Sequence, residues 1–233
     1  MKLPKTLLLL LFFSLLSGLS FTTQTQSPNT ILNGVYKKMM KAKDYSVQAT
    51  IKVDLPFIKM MPVEAQIYFK QKDKFRVVSK GIAIIPRQGF DQLTKMLKDT
   101  TSFTAVNSGS ETIGNSLTTI ISVIPSADTS DLILGKLWID SKQNLVLKSQ
   151  LTTKSNGTIL TEYTYGTQVG FGLPDNMVFT VDVKKFKVPK SVAADINNSK
   201  KADPKADKKK GKIYIKLYNY QVNKGISDDV FKK

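Results

Sequence analysis

The chain has 233 residues, no cysteine and no histidine, and a formal net charge of +17 at pH 7. Disulfides, a lipid attached at cysteine, histidine-based catalytic triads and histidine–zinc sites are therefore excluded. Lysine supplies nearly all of the positive charge, with arginine only at Arg76 and Arg87. Nucleic-acid readers favour arginine, so the composition indicates an anionic membrane surface or plain solubility rather than nucleic acid.

Residues 1–20 have the pattern of a secretory signal peptide. A basic start, Met1–Lys5, precedes an apolar run, Thr6–Leu16, and small residues at Gly18 and Ser20 suit cleavage near Ser20. The alternative is an uncleaved anchor. An exported chain without disulfides fits a bacterial periplasm, and residues 21–233 are long enough for a single domain with one sizeable core.

The first elements are a helix and a long amphipathic strand. Ser27 and Pro28 form a helix start, and an apolar stripe containing Ile31, Val35 and Met39 predicts about four turns ending near Lys43. Apolar and polar residues then alternate over Tyr45–Leu55, which predicts a strand with one buried face and one solvent-exposed face.

Shorter elements follow. Val63–Lys70 and Phe75–Ser79 are predicted strands, the second with Val77 facing inward. A helix is expected over Gln88–Lys98, with Phe90, Leu93 and Leu97 on one face. Leu117–Ile124 is rich in branched residues and predicts the next strand.

The stretch Leu134–Val183 predicts a meander of four antiparallel strands. Its parts are Leu134–Asp140, Leu145–Thr153, Thr158–Gly166 and Met177–Val183. The second and third join at Asn156-Gly157, a dipeptide typical of tight hairpins. The apolar face of such a sheet must be covered either by helices of the protein or by a bound ligand.

Lys184–Lys212 holds eleven lysines and three aspartates and predicts a disordered insert at about residues 187–211. The insert is either a solvated loop or a contact for an anionic membrane surface. Lys212–Tyr220 returns to strand, and Val222–Lys233 is a polar tail. With two or three helices, about nine strands and no βαβ alternation, the predicted class is α+β on one large antiparallel sheet.

The order of these elements resembles the outer-membrane lipoprotein-sorting proteins, relatives of the periplasmic carrier LolA. The similar residues are Leu137-Trp138-Ile139-Asp140, Leu145-Val146-Leu147-Lys148, Asn156-Gly157-Thr158 and Leu173-Pro174. The resemblance implies an incomplete β-barrel, a strongly curved antiparallel sheet with helices over its concave mouth. The lysine-rich insert departs from that family, and the carriers' cavity arginine has no match, because Arg76 alternates to the face opposite Val77.

The same resemblance implies a cavity that holds acyl chains of a lipid or lipoprotein, for delivery toward the outer membrane. The alternative is a sensor of the same fold that binds a protein partner, as regulators of anti-sigma factors do, without transporting lipid. Both describe a monomer without cofactor, metal or enzymatic activity. The candidate cavity-lining residues, which could instead be self-filled core, are Val47, Ala49, Ile51, Val53, Ile67, Phe69, Leu147, Leu151, Tyr163 and Phe179.

Overall fold

The computed structural model describes residues 26–56, 60–71, 74–86, 93–182 and 210–232. The predicted signal peptide, Phe90 and most of the lysine-rich insert lie outside these residues. The helices are α1 (Pro28–Met39) and α2 (Leu93–Lys98). The strands are β1 (Asp44–Asp54), β2 (Val63–Lys70), β3 (Lys74–Ser79), β4 (Phe103–Ile113), β5 (Ser116–Pro125), β6 (Leu132–Asp140), β7 (Leu145–Thr153), β8 (Gly157–Tyr165), β9 (Pro174–Asp182) and β10 (Lys210–Val222).

All ten strands form one antiparallel sheet in the order β3-β2-β1-β10-β9-β8-β7-β6-β5-β4. The sheet is open in the part of the chain that the structure describes, because its two edge strands, β3 and β4, do not pair with each other. The connection between them, which carries α2, must therefore run from one edge to the other. This arrangement confirms the predicted α+β class and the incomplete barrel with helices on its concave side.

Helix α1 begins as predicted. The Ser27 side chain accepts a hydrogen bond from the Thr30 backbone N–H at 3.2 Å, and Pro28 occupies the first turn. The predicted end near Lys43 is wrong, because the helix stops at Met39. The chain turns there to enter β1, and the Asn223 side chain holds the turn by accepting from the Lys43 N–H at 2.7 Å.

Strand β1 confirms the predicted alternation and lies in the interior of the sheet, between β2 and β10. Its inward side chains belong to the hydrophobic core, with Ala49 and Ile51 almost fully buried. Ala49 is opposite Ala65 on one side and Leu217 on the other. A strand paired on both sides with one face against the core requires this period of two.

The sequence predicted about nine strands, and the described residues form ten, because β4 was not predicted. It is an edge strand, paired only with β5, and most of its residues are exposed. An edge strand that buries few side chains carries little apolar alternation, so no sequence signal marked it. A register shift between Asn107 and Ser110, with Gly109 at φ 107°, interrupts its pairing further.

The predicted meander is confirmed as β6 to β9, four consecutive neighbours in the sheet. The β7–β8 hairpin forms where predicted, but its connection has three residues, Lys154–Asn156, followed by Gly157 at φ 70°. It is not a two-residue Asn-Gly turn, because Asn156 does not adopt a positive φ. The predicted end of the insert at residue 211 needs correction. Lys210 and Gly211 already belong to β10, opposite Asp182 and Val181. Only every second residue of β10 faces the core, so lysines on the other face do not prevent pairing.

The C-terminal tail packs against the outer face of the β2–β3 hairpin. Asp228, in a short 3-10 turn at Asp228–Phe231, pairs with Lys70 at 2.7 Å and Lys74 at 2.8 Å. Arg76 donates to the Val230 carbonyl at 2.8 Å and to the Lys232 carbonyl. Arg76 therefore points away from the concave face, as its alternation with Val77 predicts.

Candidate cavity on the concave face

An apolar cavity of about 80 Å³ lies between α1 and the inner face of the sheet. Both helices and most of the strands contribute to its wall, and most of the contributing groups are aromatic rings, thioethers or aliphatic side chains. The lining residues are Val35, Met39, Met40, Tyr45, Phe69, Phe75, Leu93, Thr94, Asn144, Leu145, Val146, Tyr163, Tyr165, Gly172, Leu173, Pro174, Met177 and Tyr220.

Three of the tyrosine hydroxyls around the cavity are hydrogen-bonded to protein groups. Tyr165 donates to the Val146 carbonyl at 2.8 Å, and Tyr220 donates to the Pro174 carbonyl at 2.7 Å. The Tyr163 hydroxyl and Ser149 Oγ share a hydrogen bond of 3.0 Å. Burial raises the pKa of each of these three phenols above the ordinary value, so they stay neutral. Their rings therefore serve as apolar wall.

Aromatic stacking forms one side of the cavity. The rings of Tyr45 and Phe69 stack at 5.0 Å between centroids, and Tyr220 meets Tyr45 at 6.0 Å in a tilted arrangement. Ring pairs of this geometry each add about 0.5–1.5 kcal/mol beyond the area they bury. This side of the cavity is consequently rigid, whereas Met39, Met40 and Met177 on other sides have flexible side chains that adapt to a changed shape.

Two β-bulges decide which residues face the cavity. In β10, Asn219 has φ 55° and two residues stand opposite Val47 alone, so Tyr220 turns inward. In β7, Lys148 pairs with Trp138 of β6, and the next pair along the strands is Val146 with Ile139. Leu147 is therefore the bulged residue, and Val146 takes the inward position that alternation assigns to Leu147.

The ten sequence-predicted lining residues divide into three groups. Phe69 and Tyr163 line the cavity. Leu147 is half-buried at the bulge and lies outside the core cluster. The remaining seven are buried in the core that extends beneath the helices: Val47, Ala49, Ile51, Val53, Ile67, Leu151 and Phe179. Ligand binding by any of the ten stays a prediction.

Sequence reasoning missed most of the residues that line the cavity. Val146 and Tyr220 face the cavity because of bulges. The only local sequence signal of a bulge is an asparagine, a residue that tolerates positive φ, and this signal is weak. Met39 was expected on the apolar stripe of α1, but nothing in that stripe shows that it meets the Gly172 turn. There, a Cβ atom on Gly172 would lie 3.6 Å from Met39 Cγ.

Helix α1 forms the roof of the cavity and is attached at both sides. Lys38 Nζ donates to the Gln143 carbonyl in the β6–β7 turn at 2.7 Å, and Gly34 lies directly over Asn144 in the same turn. On the other side, Asn223 Nδ2 donates to the Lys41 carbonyl at 2.9 Å. The buried face of α1, formed by Ile31, Leu32 and Val35, packs on the core. Opening the cavity from above would require these contacts to be broken.

Among the described ranges, neither helix is long and apolar enough to cross a membrane.

Comparison with known proteins identifies the fold. No protein-family model and no curated protein sequence matches the chain. A LolA superfamily protein from Nitrosomonas europaea superimposes with a TM-score of 0.57 over 90% of this chain and 99% of its own, at 10% identity. The chain adopts the fold of LolA superfamily proteins.

Two further structures agree. An outer membrane lipoprotein-sorting protein domain from Vibrio parahaemolyticus gives a TM-score of 0.58 at 7% identity, covering 88% of this chain and 97% of its own. A DUF1329 family protein from Desulfovibrio piger gives 0.52 at 12% identity, covering 89% and 98%. The resemblance seen in the sequence is thereby confirmed for the fold, and the similarity extends over nearly the whole of each chain.

Proposed function

We propose that this protein is a periplasmic carrier that binds acyl chains of a lipid or lipoprotein beneath α1, for delivery toward the outer membrane. The observation that carries the proposal is the apolar cavity on the concave face, where tyrosine hydroxyls are bonded away and the walls are rings and thioethers. Each methylene moved from water into such a site contributes about 0.8 kcal/mol. The described residues that line the cavity are mainly apolar, which supports binding of an acyl chain.

The cavity volume indicates how binding would proceed. Ligand pockets usually measure about 300–1,000 Å³, several times the 80 Å³ present here. An acyl chain would therefore need the roof to move before it could enter. The sheet below is held by pairing between strands, whereas α1 is attached by side-chain hydrogen bonds and by its buried face. Movement of α1 is accordingly the route that supports entry.

The test begins with the chain expressed without residues 1–20 and stripped of lipid by organic extraction. Mass spectrometry of the extract should find bound lipid, and the stripped protein should take up a fluorescent fatty-acid analogue. A variant Met39→Gln keeps the side-chain length but places an amide at the cavity, and should weaken uptake severalfold. Ile124→Gln, on an exposed residue of β5 far from the cavity, is the matched control and should bind as the wild type does.

A folded protein that is purified empty and takes up no probe would overturn the proposal. It would favour the protein-binding alternative, in which a partner protein meets the same fold and no lipid is carried. Equal uptake by wild type and Met39→Gln, with the same thermal unfolding profile, would place the site elsewhere.

A further inference from the structure

We propose that the ligand is an amphiphile with an anionic head, held at the rim of the cavity by Lys38 and by its neighbour Lys41. This inference rests on the proposed acyl-chain site and adds the charge of its ligand. Lys38 is half-buried in the last turn of α1, and its side chain runs over Gly172, a residue of the cavity wall. Its amine reaches the Gln143 carbonyl, next to Asn144 of the same wall.

The Lys38 ammonium has no ion-pair partner in the part of the chain that the structure describes. An ammonium has three N–H donors, and only one of them is assigned, to Gln143. Burial lowers the pKa of Lys38, and repulsion from Lys41 lowers it further, against a smaller attraction by Asp140. A partly desolvated cation beside a like charge gains from an anion placed between the two.

The nearby acids do not form ion pairs with Lys38 among the described residues, although Asp140 attracts its ammonium from a distance. Asp140 accepts hydrogen bonds from the backbone N–H groups of Lys142 and Gln143, at 3.0 and 3.1 Å, and from the Gln143 side chain at 3.0 Å. Its carboxylate is therefore used within the β6–β7 turn. Asp175 follows the cavity-lining Pro174, and its carboxylate packs against Gly166. Neither acid forms an ion pair with Lys38 among the described residues.

Cavity and rim together match an amphiphile. An acyl chain that enters beneath α1 passes Met39. Because Lys38 is the adjacent residue of that helix, a head group left at the surface lies beside the Lys38 amine. A carboxylate or phosphate there accepts the unassigned N–H donors. The lysines of the last helical turn also interact favourably with the negative, C-terminal end of the helix dipole. This is a purely structural role that requires no ligand. The experiment must separate these two roles.

The experiment compares two probes with the same chain, pyrene-labelled dodecanoic acid and the corresponding dodecanol, on lipid-free protein. We expect the wild type to bind the acid about tenfold more tightly than the alcohol. In Lys38→Gln the ratio of the two affinities should fall to threefold or less, because loss of the roof contact with Gln143 shifts the affinities for acid and alcohol together, whereas loss of the ammonium weakens only the acid. Lys52→Gln, an exposed lysine on the outward face of β1, is the control and should keep the full preference.

The outcomes separate this inference from the proposed function. Equal binding of both probes by the wild type, or an unchanged preference in Lys38→Gln, overturns the anionic head group and leaves the acyl-chain site standing. Binding of neither probe overturns both. Displacement of the acid probe by excess acetate would reveal an adventitious anion site and also overturn the inference. If Lys38→Gln fails to fold, Lys41→Gln at an exposed position gives the same comparison and should lower the preference about threefold.

Discussion

A disulfide that fastens α1 to the β6–β7 turn should block acyl-chain uptake. The chain has no native cysteine, so the double variant Gly34→Cys, Asn144→Cys can form only one internal bridge. A Cβ atom on residue 34 would lie 3.0 Å from Cγ of Asn144, where a cysteine at 144 places its sulfur. This separation suits an S–S bond. Asn144 has φ 54°, so the substitution there costs about 1–2 kcal/mol in backbone strain.

The expected size of the effect follows from the buried face of α1. Full exposure of Ile31, Leu32 and Val35 would cost roughly 5–9 kcal/mol. A 16-carbon chain brings on the order of 12 kcal/mol when buried, before ordering costs. The two free energies are similar, so a long acyl chain can displace α1 when no disulfide holds the helix in place. With the bridge closed, only the 80 Å³ cavity is available, and affinity should drop at least tenfold.

The assay is fluorescent fatty-acid binding to the oxidised double variant, and then to the same sample after reduction. Reduction should restore binding to the level of the two single variants, which serve as controls for each substitution. Mass spectrometry after alkylation verifies that the bridge is closed. Equal affinity before and after reduction would refute the roof mechanism, because the chain would then enter without movement of α1 relative to the β6–β7 turn.

Three further predictions concern the bulge, the C-terminal turn and the cavity wall. In urea denaturation, Val146→Ala should lower the free energy of unfolding by about 2 kcal/mol, and Leu147→Ala should lower it by less than about 1 kcal/mol. A larger loss for Leu147→Ala than for Val146→Ala would contradict the bulge. The lysines hydrogen-bonded to Asp228 lower its pKa to about 2. Because this pKa is depressed, the contact is complete above pH 4 and is lost as pH falls toward 2, so limited proteolysis of the C-terminal turn should increase in that window. Asp228→Asn should already show the increase at pH 7 and Asp229→Asn should not; equal cleavage of both would contradict this role. Tyr220→Phe leaves the Pro174 carbonyl without its donor and should cost about 1–2 kcal/mol, read from thermal unfolding, whereas an unchanged midpoint would show that water replaces the hydroxyl.

Hydrogen bonds to the C-terminal turn also explain why Arg76 is unavailable to the cavity. Its guanidinium is occupied by the carbonyls of Val230 and Lys232 on the outer face of the sheet. Lys38, on the helix that forms the roof, instead places a positive charge beside the cavity wall. The predicted face of Arg76 was correct, and its actual partner lies more than 150 positions away in the sequence.

The sequence by itself determined the class of the fold and most of its elements. Period-two alternation located β1 and β2, Asn156-Gly157 placed a hairpin, and Ser27 with Pro28 placed the start of α1. These signals are local, because a strand with one buried face or a capped helix end imposes its pattern on adjacent residues. The family resemblance depended on the same local features and predicted the fold correctly.

Only the tertiary structure decided which residues surround the cavity. The bulges at Leu147 and Asn219 reverse the alternation of their strands, and neither has a sequence pattern that specifies it. The roof contacts of Lys38 with Gln143, and of Asn223 with Lys41, join segments separated by more than 100 residues. An exposed edge strand such as β4 buries too little to show a pattern at all. Local chemistry fixes the elements, whereas the position of a cavity depends on long-range register, which no single stretch of the chain encodes.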